Sequence, residues 1–324
     1  MHYDVYGIGN ALVDIQANVS DDLLQQITRD VPSTTHDRLA KGTMHLVDTT
    51  TQGHILRLLE EIGTHTVSGG SAANTMIGVA HLGGRAAYAG KVGDDVYGAF
   101  YAEDLHKASV AYRVPFGHAE TGTCIVLVTP DAQRTFFTHL GISTALTPND
   151  IDEAAIKASQ WVYIEGYLWD APGPKAASLK AMELACHYGV KVAYSFSDPF
   201  CVRRARSDFR DFTERFVDLV FCNEEEALAF TDAGNVEDAI GTITALDTAV
   251  AITRGERGSL FAMNGTRHIV PPVHVDAIDS TGAGDLYAAG VLHGLCSGKT
   301  PAEAGELGSA LAARILTVRG ARLP

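Results

Sequence analysis

Asp279-Ser280-Thr281-Gly282-Ala283-Gly284-Asp285 leads directly into a helical run predicted over Ala283–Cys296. Small residues at a helix start leave consecutive backbone N–H groups uncovered, and the helix dipole adds partial positive charge there. Gly282, Ala283 and Gly284 therefore predict an anion hole sized for a phosphate or an oxyanion. Asp285 falls in the first helical turn beside that hole. A carboxylate there repels a bound phosphate unless something lies between them, such as a hydroxyl giving up its proton. Phosphoryl transfer to an alcohol needs that arrangement. The plain alternative is a glycine-rich turn with Asp as an ordinary helix-start residue.

The flanking sequence alternates in a way that predicts the surrounding fold. Short apolar runs at Tyr3–Ile8, Ala86–Lys91, Trp161–Ile164, Val190–Ser195, Leu219–Cys222 and Ala249–Thr253 read as strands, most of them in a parallel sheet buried on both faces. Helical spacing separates them: Ile55, Leu58, Leu59 and Ile62 after Thr49, then Ala72–Leu82, Asp95–Lys107 and Pro301–Leu316, the last with Thr300 as N-cap and Pro301 at its first position. Asn264-Gly265 predicts a tight hairpin between Ser259–Met263 and Thr266–Val270. Thr123–Thr129 and Arg134–Leu140 have no helix between them, only Pro130-Asp131-Ala132-Gln133, so they predict a second antiparallel hairpin. The expected fold class is α/β, a three-layer α/β/α domain with a mostly parallel central sheet plus a small β-sheet lid. Residues 1–14, 46–108 and 143–324 are assigned to the large domain, and 15–45 and 109–142 to the lid.

Composition narrows the partners. The 324 residues carry 25 Lys+Arg against 39 Asp+Glu, a formal charge of −14. Such a balance argues against nucleic acid and anionic membranes, which need a basic face. A local pocket can still be positive and hold a small anion. No apolar run approaches the roughly 18 residues of a membrane helix. The first basic residue is Arg29, too late for a secretory leader. Five scattered cysteines without CxxC suit a reducing compartment, so a cytoplasmic chain is expected. The histidines form no HExxH and no i,i+4 pair, and predict no histidine metal site.

Three further segments carry polar groups where a ligand would need them. Ser68-Gly69-Gly70-Ser71-Ala72-Ala73-Asn74 lets a ligand approach the backbone closely, with Asn74 one turn into a helix. Asn10 and Asp14 follow the first strand, and Asp14, among Ala11, Leu12, Val13 and Ile15, needs a hydroxyl or a cation as partner. Asn223-Glu224-Glu225-Glu226 follows another strand. It reads as an N-cap with acidic neighbours, or as Asn223 and Glu226 holding waters around Mg2+. Gly7-Ile8-Gly9 starts like a dinucleotide fingerprint, but position 12 is Leu; GxxxxGK[ST], HRD and DFG are all missing.

The early GG…N segment and the late DxxGAGD resemble the paired signatures of the PfkB, or ribokinase-like, family of small-molecule kinases. Gly9–Ile15, Gly69-Gly70-Ser71, Ser195–Phe200 and Phe221–Glu224 resemble the adenosine kinases within it. The resemblance implies that Asp285 is the base toward the acceptor hydroxyl and that Gly282, Ala283 and Gly284 hold the phosphoryl group. It implies that Asn10, Asp14, Gly69, Gly70, Ser71 and Asn74 bind substrate, with Tyr167 against a base. It assigns Asn223, Glu226, Thr253, Gly255 and Ser309 to ATP, with Mg2+ held through water by Asn223 and Glu226, and sets Asp279 beside a potassium site. Thr281, Ser309, Asp198 and Glu165 depart from the usual pattern.

The implied activity is ATP-dependent phosphorylation of a ribose-bearing alcohol, adenosine first. A sugar or sugar-acid kinase and a nucleoside sensor are the alternatives. The chain is expected to act on a small nucleoside or sugar, as a monomer or homodimer. Arg134 and Phe136 point to one face of their strand. Lid closure is expected to bring Arg134 toward the phosphates and Phe136 over the substrate. Otherwise Phe136 is lid core and Arg134 a solvated edge charge.

Overall fold

A computed structural model of the chain describes residues 2–30, 41–131, 133–263 and 265–323. Among these residues the strands are β1 (Tyr3–Ile8), β2 (Leu12–Asn18), β3 (Met44–Leu46), β4 (His65–Gly69), β5 (Ala86–Ala89), β6 (Ala111–Tyr112), β7 (Gly122–Val128), β8 (Arg134–His139), β9 (Ser159–Glu165), β10 (Lys191–Ser195), β11 (Leu219–Asn223), β12 (Ala249–Thr253), β13 (Ser259–Met263) and β14 (Thr266–Val270). The helices are α1 (Asp21–Asp30), α2 (Thr49–Leu59), α3 (Ser71–His81), α4 (Val96–Lys107), α5 (Glu153–Lys157), α6 (Pro172–Tyr188), α7 (Pro199–Phe216), α8 (Glu224–Thr231), α9 (Val236–Thr244), α10 (Ala283–Cys296) and α11 (Pro301–Leu316).

The central sheet runs in the order β14-β13-β12-β11-β10-β9-β1-β5-β6. It is parallel from β12 to β6, and only β13 and β14 run antiparallel. Its strands are apolar on both faces because both are covered. Trp161 and Tyr163 face a layer containing α3, α10 and α11, while Val162 and Ile164 face α6 to α9. Asn264 of the tight hairpin and Ala132 of the other turn lie outside the described residues, but both strand pairs are antiparallel as expected. The five cysteines are all free thiols.

The second sheet has the order β3-β8-β7-β2-β4. One face packs Ala17, Ile125, Leu127 and Phe137 against Leu24 and Ile27 of α1 and Ile55 and Leu59 of α2. The other face is turned toward the carboxyl ends of the central strands. Residues 15–45 hold more than β structure. They include α1, whose Leu24 and Ile27 are buried while its acidic first turn faces out. Part of this stretch, 31–40, lies outside the described residues. β4, from the segment between α2 and α3, also joins the small sheet by pairing with β2. Helix α2 ends at Leu59, so Ile62 falls in the following turn, 41% exposed.

Helix α3 touches α10 through a glycine. A Cβ on Gly78 would sit 2.7 Å from the Ala289 Cβ and 3.0 Å from Leu286 Cδ1. That closeness sets the spacing between the two helices. Gly78→Val is expected to force them apart, lowering stability by about 1–3 kcal/mol, as overpacking does. Thermal unfolding checks it, and an unchanged melting temperature would show that the contact yields without cost.

Candidate active site

The carboxyl ends of β1, β9, β10, β11 and β12 converge on one cleft, the place where parallel α/β sheets bind ligands. It encloses about 870 Å3 and is roofed by the small sheet. Asn10, Asp14, Gly70, Ser71, Arg134, Phe136, Tyr167, Asn223, Glu226, Thr253, Gly282, Ala283, Gly284 and Asp285 all line it. Asn74 reaches it through Asp285. Gly69 lies in β4 opposite Leu12. Gly255 sits in the turn after β12. Ser309, on α11, is placed outside the cleft lining, its hydroxyl 3.1 Å from that of Ser259.

Asp285 sits in the first turn of α10, held from α3. Ser71 Oγ donates to its Oδ1 at 2.5 Å, and Asn74 Nδ2 donates to its Oδ2 at 3.0 Å. Burial pushes the Asp285 carboxyl up from its ordinary range, and these two bonds oppose the rise. Gly282 caps the helix with φ 76°. Of the three N–H groups expected in the anion hole, that of Ala283 already makes a long 3.3 Å bond to the Ser280 carbonyl.

The start of α3 is fixed by a residue that the sequence marked only as a departure. Glu165, at the end of β9, is 1% exposed. Its Oε1 accepts from the Asn10 N–H and its Oε2 from the Ala72 N–H, each at 2.7 Å. One buried carboxylate thus ties the turn after β1 to the N-terminus of α3. Burial pushes Glu165 up to about 8 against those two bonds. A charged residue closing an apolar strand is the signal that could have singled it out. Gly70 completes the joint, with φ +93° and no room for a Cβ, which would lie 2.3 Å from the Asn10 carbonyl oxygen.

Asp14 lies beneath Gly69 and faces the cleft. Among the described residues its carboxylate accepts no hydrogen bond. Burial pushes it up to about 7, opposed by the positive fields of Arg322 and Arg134. Arg134 is paired with Asp279 at the root of the phosphate loop. The Asp279 carboxylate also accepts from Thr281 N–H at 2.9 Å and Gly320 N–H at 2.5 Å. The lid arginine therefore braces the loop while lining the same cleft as Gly282, Ala283 and Gly284. Phe136 faces the cleft, whereas its neighbour Phe137 is the lid core. Tyr167 follows β9 on a short turn, and its hydroxyl donates to the Ser197 carbonyl at 3.2 Å.

Asn223 and Glu226 form a reciprocal cap on α8. Asn223 N–H donates to Glu226 Oε2 at 3.0 Å, and Glu226 N–H donates to Asn223 Oδ1 at 2.9 Å. Burial pushes Glu226 up to about 7. Among the described residues no cluster of three His, Cys, Asp or Glu could hold a metal. A water-mediated Mg2+ carried by nucleotide phosphates needs no such cage.

The site now has relatives. Residues 47–324 match the model of the pfkB family carbohydrate kinases. The chain belongs to that family. It is 36% identical to the solved adenosine kinase of Sinorhizobium meliloti, covering 100% of this chain and 96% of that one, with a TM-score of 0.90. It is 33% identical to a probable sugar kinase protein of Rhizobium etli, over 99% and 96% of the two chains, with the same TM-score of 0.90. A fructokinase of Klebsiella pneumoniae is 28% identical over 72% of this chain and 78% of its own. The adenosine kinase of Saccharomyces cerevisiae is 27% identical over 98% and 96%. The fold is ribokinase-like, and the protein is an ATP-dependent kinase whose acceptor is a sugar or a nucleoside. Among the described residues no helix is long and apolar enough to cross a membrane.

The raised carboxyls fix a pH dependence of stability. Glu165 holds its proton in the fold up to about 8, against 4.5 for an ordinary glutamate. Between those values the folded chain binds protons that the unfolded chain has released, so stability present at low pH is lost as pH rises. Asp14 and Glu226 act in the same direction. The unliganded protein should melt at lower temperature at about pH 9 than at about pH 6, and Glu165→Gln should flatten that slope. Parallel melting curves for the two proteins would remove Glu165 from the effect.

Proposed function

We propose that this kinase phosphorylates the hydroxymethyl group of a ribose-bearing substrate, adenosine, to give AMP. One combination carries the reading: an Asp14 carboxylate that accepts no hydrogen bond among the described residues and two aromatic rings, Tyr167 and Phe136, line the same cleft as Asp285. The carboxylate suits ribose hydroxyls as donors, and the rings suit a flat base. The resemblance to adenosine kinases over the full chain supports it.

The acceptor hydroxyl enters between Asp285 and the anion hole. Asp285 takes its proton as the O–H bond breaks, and the alcohol oxygen bonds to the terminal phosphorus of ATP while ADP leaves. Backbone N–H groups of Gly282 and Gly284 stabilise the charge on the transferring group, with Ala283 joining once its long bond to Ser280 opens. Asn10, Gly70, Ser71 and Asn74 frame the ribose. Asn223, Glu226, Thr253 and Gly255 face ATP. Asn223 and Glu226 would hold the waters of a Mg2+ ion, which would supply positive charge toward the phosphates. A sugar acid fits poorly, because its carboxylate would share the cleft with the buried carboxyls of Asp14 and Asp285. A neutral hexose is the remaining alternative, favoured by the fructokinase relatives.

Two substitutions test the reading. Asp285→Asn keeps shape and removes the base; kcat should fall by roughly 10²–10⁴ with ATP affinity kept. Turnover close to wild type would take Asp285 out of the chemistry. Tyr167→Ala should raise KM for adenosine by roughly 5- to 150-fold, the equivalent of a lost stacking contact, while scarcely changing any turnover of ribose. An untouched adenosine KM would point to a free sugar.

A further inference from the structure

Asn74 can meet Asp285 with either end of its amide, and only one end serves. The NH2 group donates to the carboxylate, whereas the carbonyl oxygen would repel it. What selects the end lies at the far side of the amide. Arg322 Nε donates to Asn74 Oδ1 at 3.3 Å. A guanidinium has donors only, so it donates to the carbonyl oxygen and has nothing to receive the NH2. Asn74 is 5% exposed, which leaves little water to rescue a flipped amide.

Arg322 comes from the tail that follows α11, and its placement is built in. Its Nη1 donates to Asp104 on α4 and to Ser68 at the end of β4, and Ser68 Oγ itself donates to Asp104. Two residues upstream the tail is pinned where Gly320 N–H donates to Asp279. The Arg322 side chain is 19% exposed, and its Nη2 is buried without a partner among the described residues. A surface arginine serving solubility would not be bound on three sides.

We propose that Arg322 is a positioning residue for phosphoryl acceptance: held by Asp104, it fixes the Asn74 amide so that its NH2 faces Asp285. The proposal rests on the reading of Asp285 as base, but not on adenosine as acceptor. It extends the site to a chain Asp104–Arg322–Asn74–Asp285 that joins α4, the tail, α3 and α10. The NH2 group secures one carboxylate oxygen, Ser71 the other, and the remaining lone pairs stay aimed at the incoming hydroxyl.

The test uses the full-length enzyme with ATP and whichever of adenosine, ribose or fructose it phosphorylates fastest. A sugar chosen over adenosine would overturn the nucleoside reading and leave this test intact. Arg322→Ala should lower kcat for the acceptor by about 10- to 100-fold, the scale of a displaced catalytic geometry. KM for ATP should stay within about twofold. Arg322→Lys, which keeps a donor-only cation, should recover part of the loss. In the double variant with Asn74→Ala the cost should fall well short of the product of the two single costs, because one residue acts through the other. If Arg322→Ala fails to fold, Asp104→Asn, at a half-exposed position, should give a smaller loss of kcat with the same unchanged ATP KM. Wild-type kcat in these variants, fully multiplicative costs, or a loss of kcat and ATP affinity in step with melting temperature would overturn the proposal.

Discussion

As the base of the proposed transfer, Asp285 must be dry enough to take a proton and yet held where a hydroxyl can reach it. Its two bonds from α3, Ser71 to one oxygen and Asn74 to the other, meet both demands. They also make the start of α3 part of the chemistry, and much of the remaining architecture serves to fix that start. Gly78 sets how closely α3 lies on α10. Glu165 ties the N-terminus of α3 to the turn after β1. The Asp279–Arg134 pair joins the phosphate loop to the lid. Each connection crosses between segments far apart in the chain, so the site exists only when the whole fold has closed.

The electrostatics follow from crowding carboxyls into a half-closed cleft. Asp14, Glu165, Glu226 and Asp285 are all pushed up by burial, and the field of Asp285 adds to the rise at Asp14 and Glu165. Such a cleft tolerates a neutral polyol that donates hydrogen bonds and disfavours an anionic acceptor. In the proposed reading the phosphates of ATP are met instead at the N-terminus of α10, where backbone N–H groups supply positive charge without lysine. Arg134 and Arg322 offset the negative charge locally, and both favour the ionised form of Asp14. An acidic chain can thus handle a polyanion by separating it from its own carboxylates.

Much of this was legible in the sequence because periodicity and turn chemistry act locally. The strand Tyr3–Ile8, both hairpins, α10 and the capped α11 appear where residue spacing put them. The start of α10 was legible because small residues before an Asp favour a turn into a helix. The placement of α1 was not, since its two buried leucine and isoleucine contacts depend on a sheet assembled from four distant segments. β4 went unread as a partner of β2 because strand pairing leaves no trace in a single strand's composition. Glu165, Asp104 and Arg322 were invisible as parts of the site for a related reason. Their meaning lies in partners up to 254 residues away, and no local spacing encodes such a distance.

The central claim is that Asp285 and its cradle pass a phosphoryl group from ATP to the ribose of a nucleoside. It is tested most directly by 31P NMR of the wild-type enzyme given limiting ATP and an equimolar mixture of adenosine, ribose and fructose. The account predicts that AMP and ADP accumulate one for one while both sugars remain unphosphorylated. A sugar phosphate formed while adenosine is left untouched, or ADP released with free phosphate alone, would contradict it.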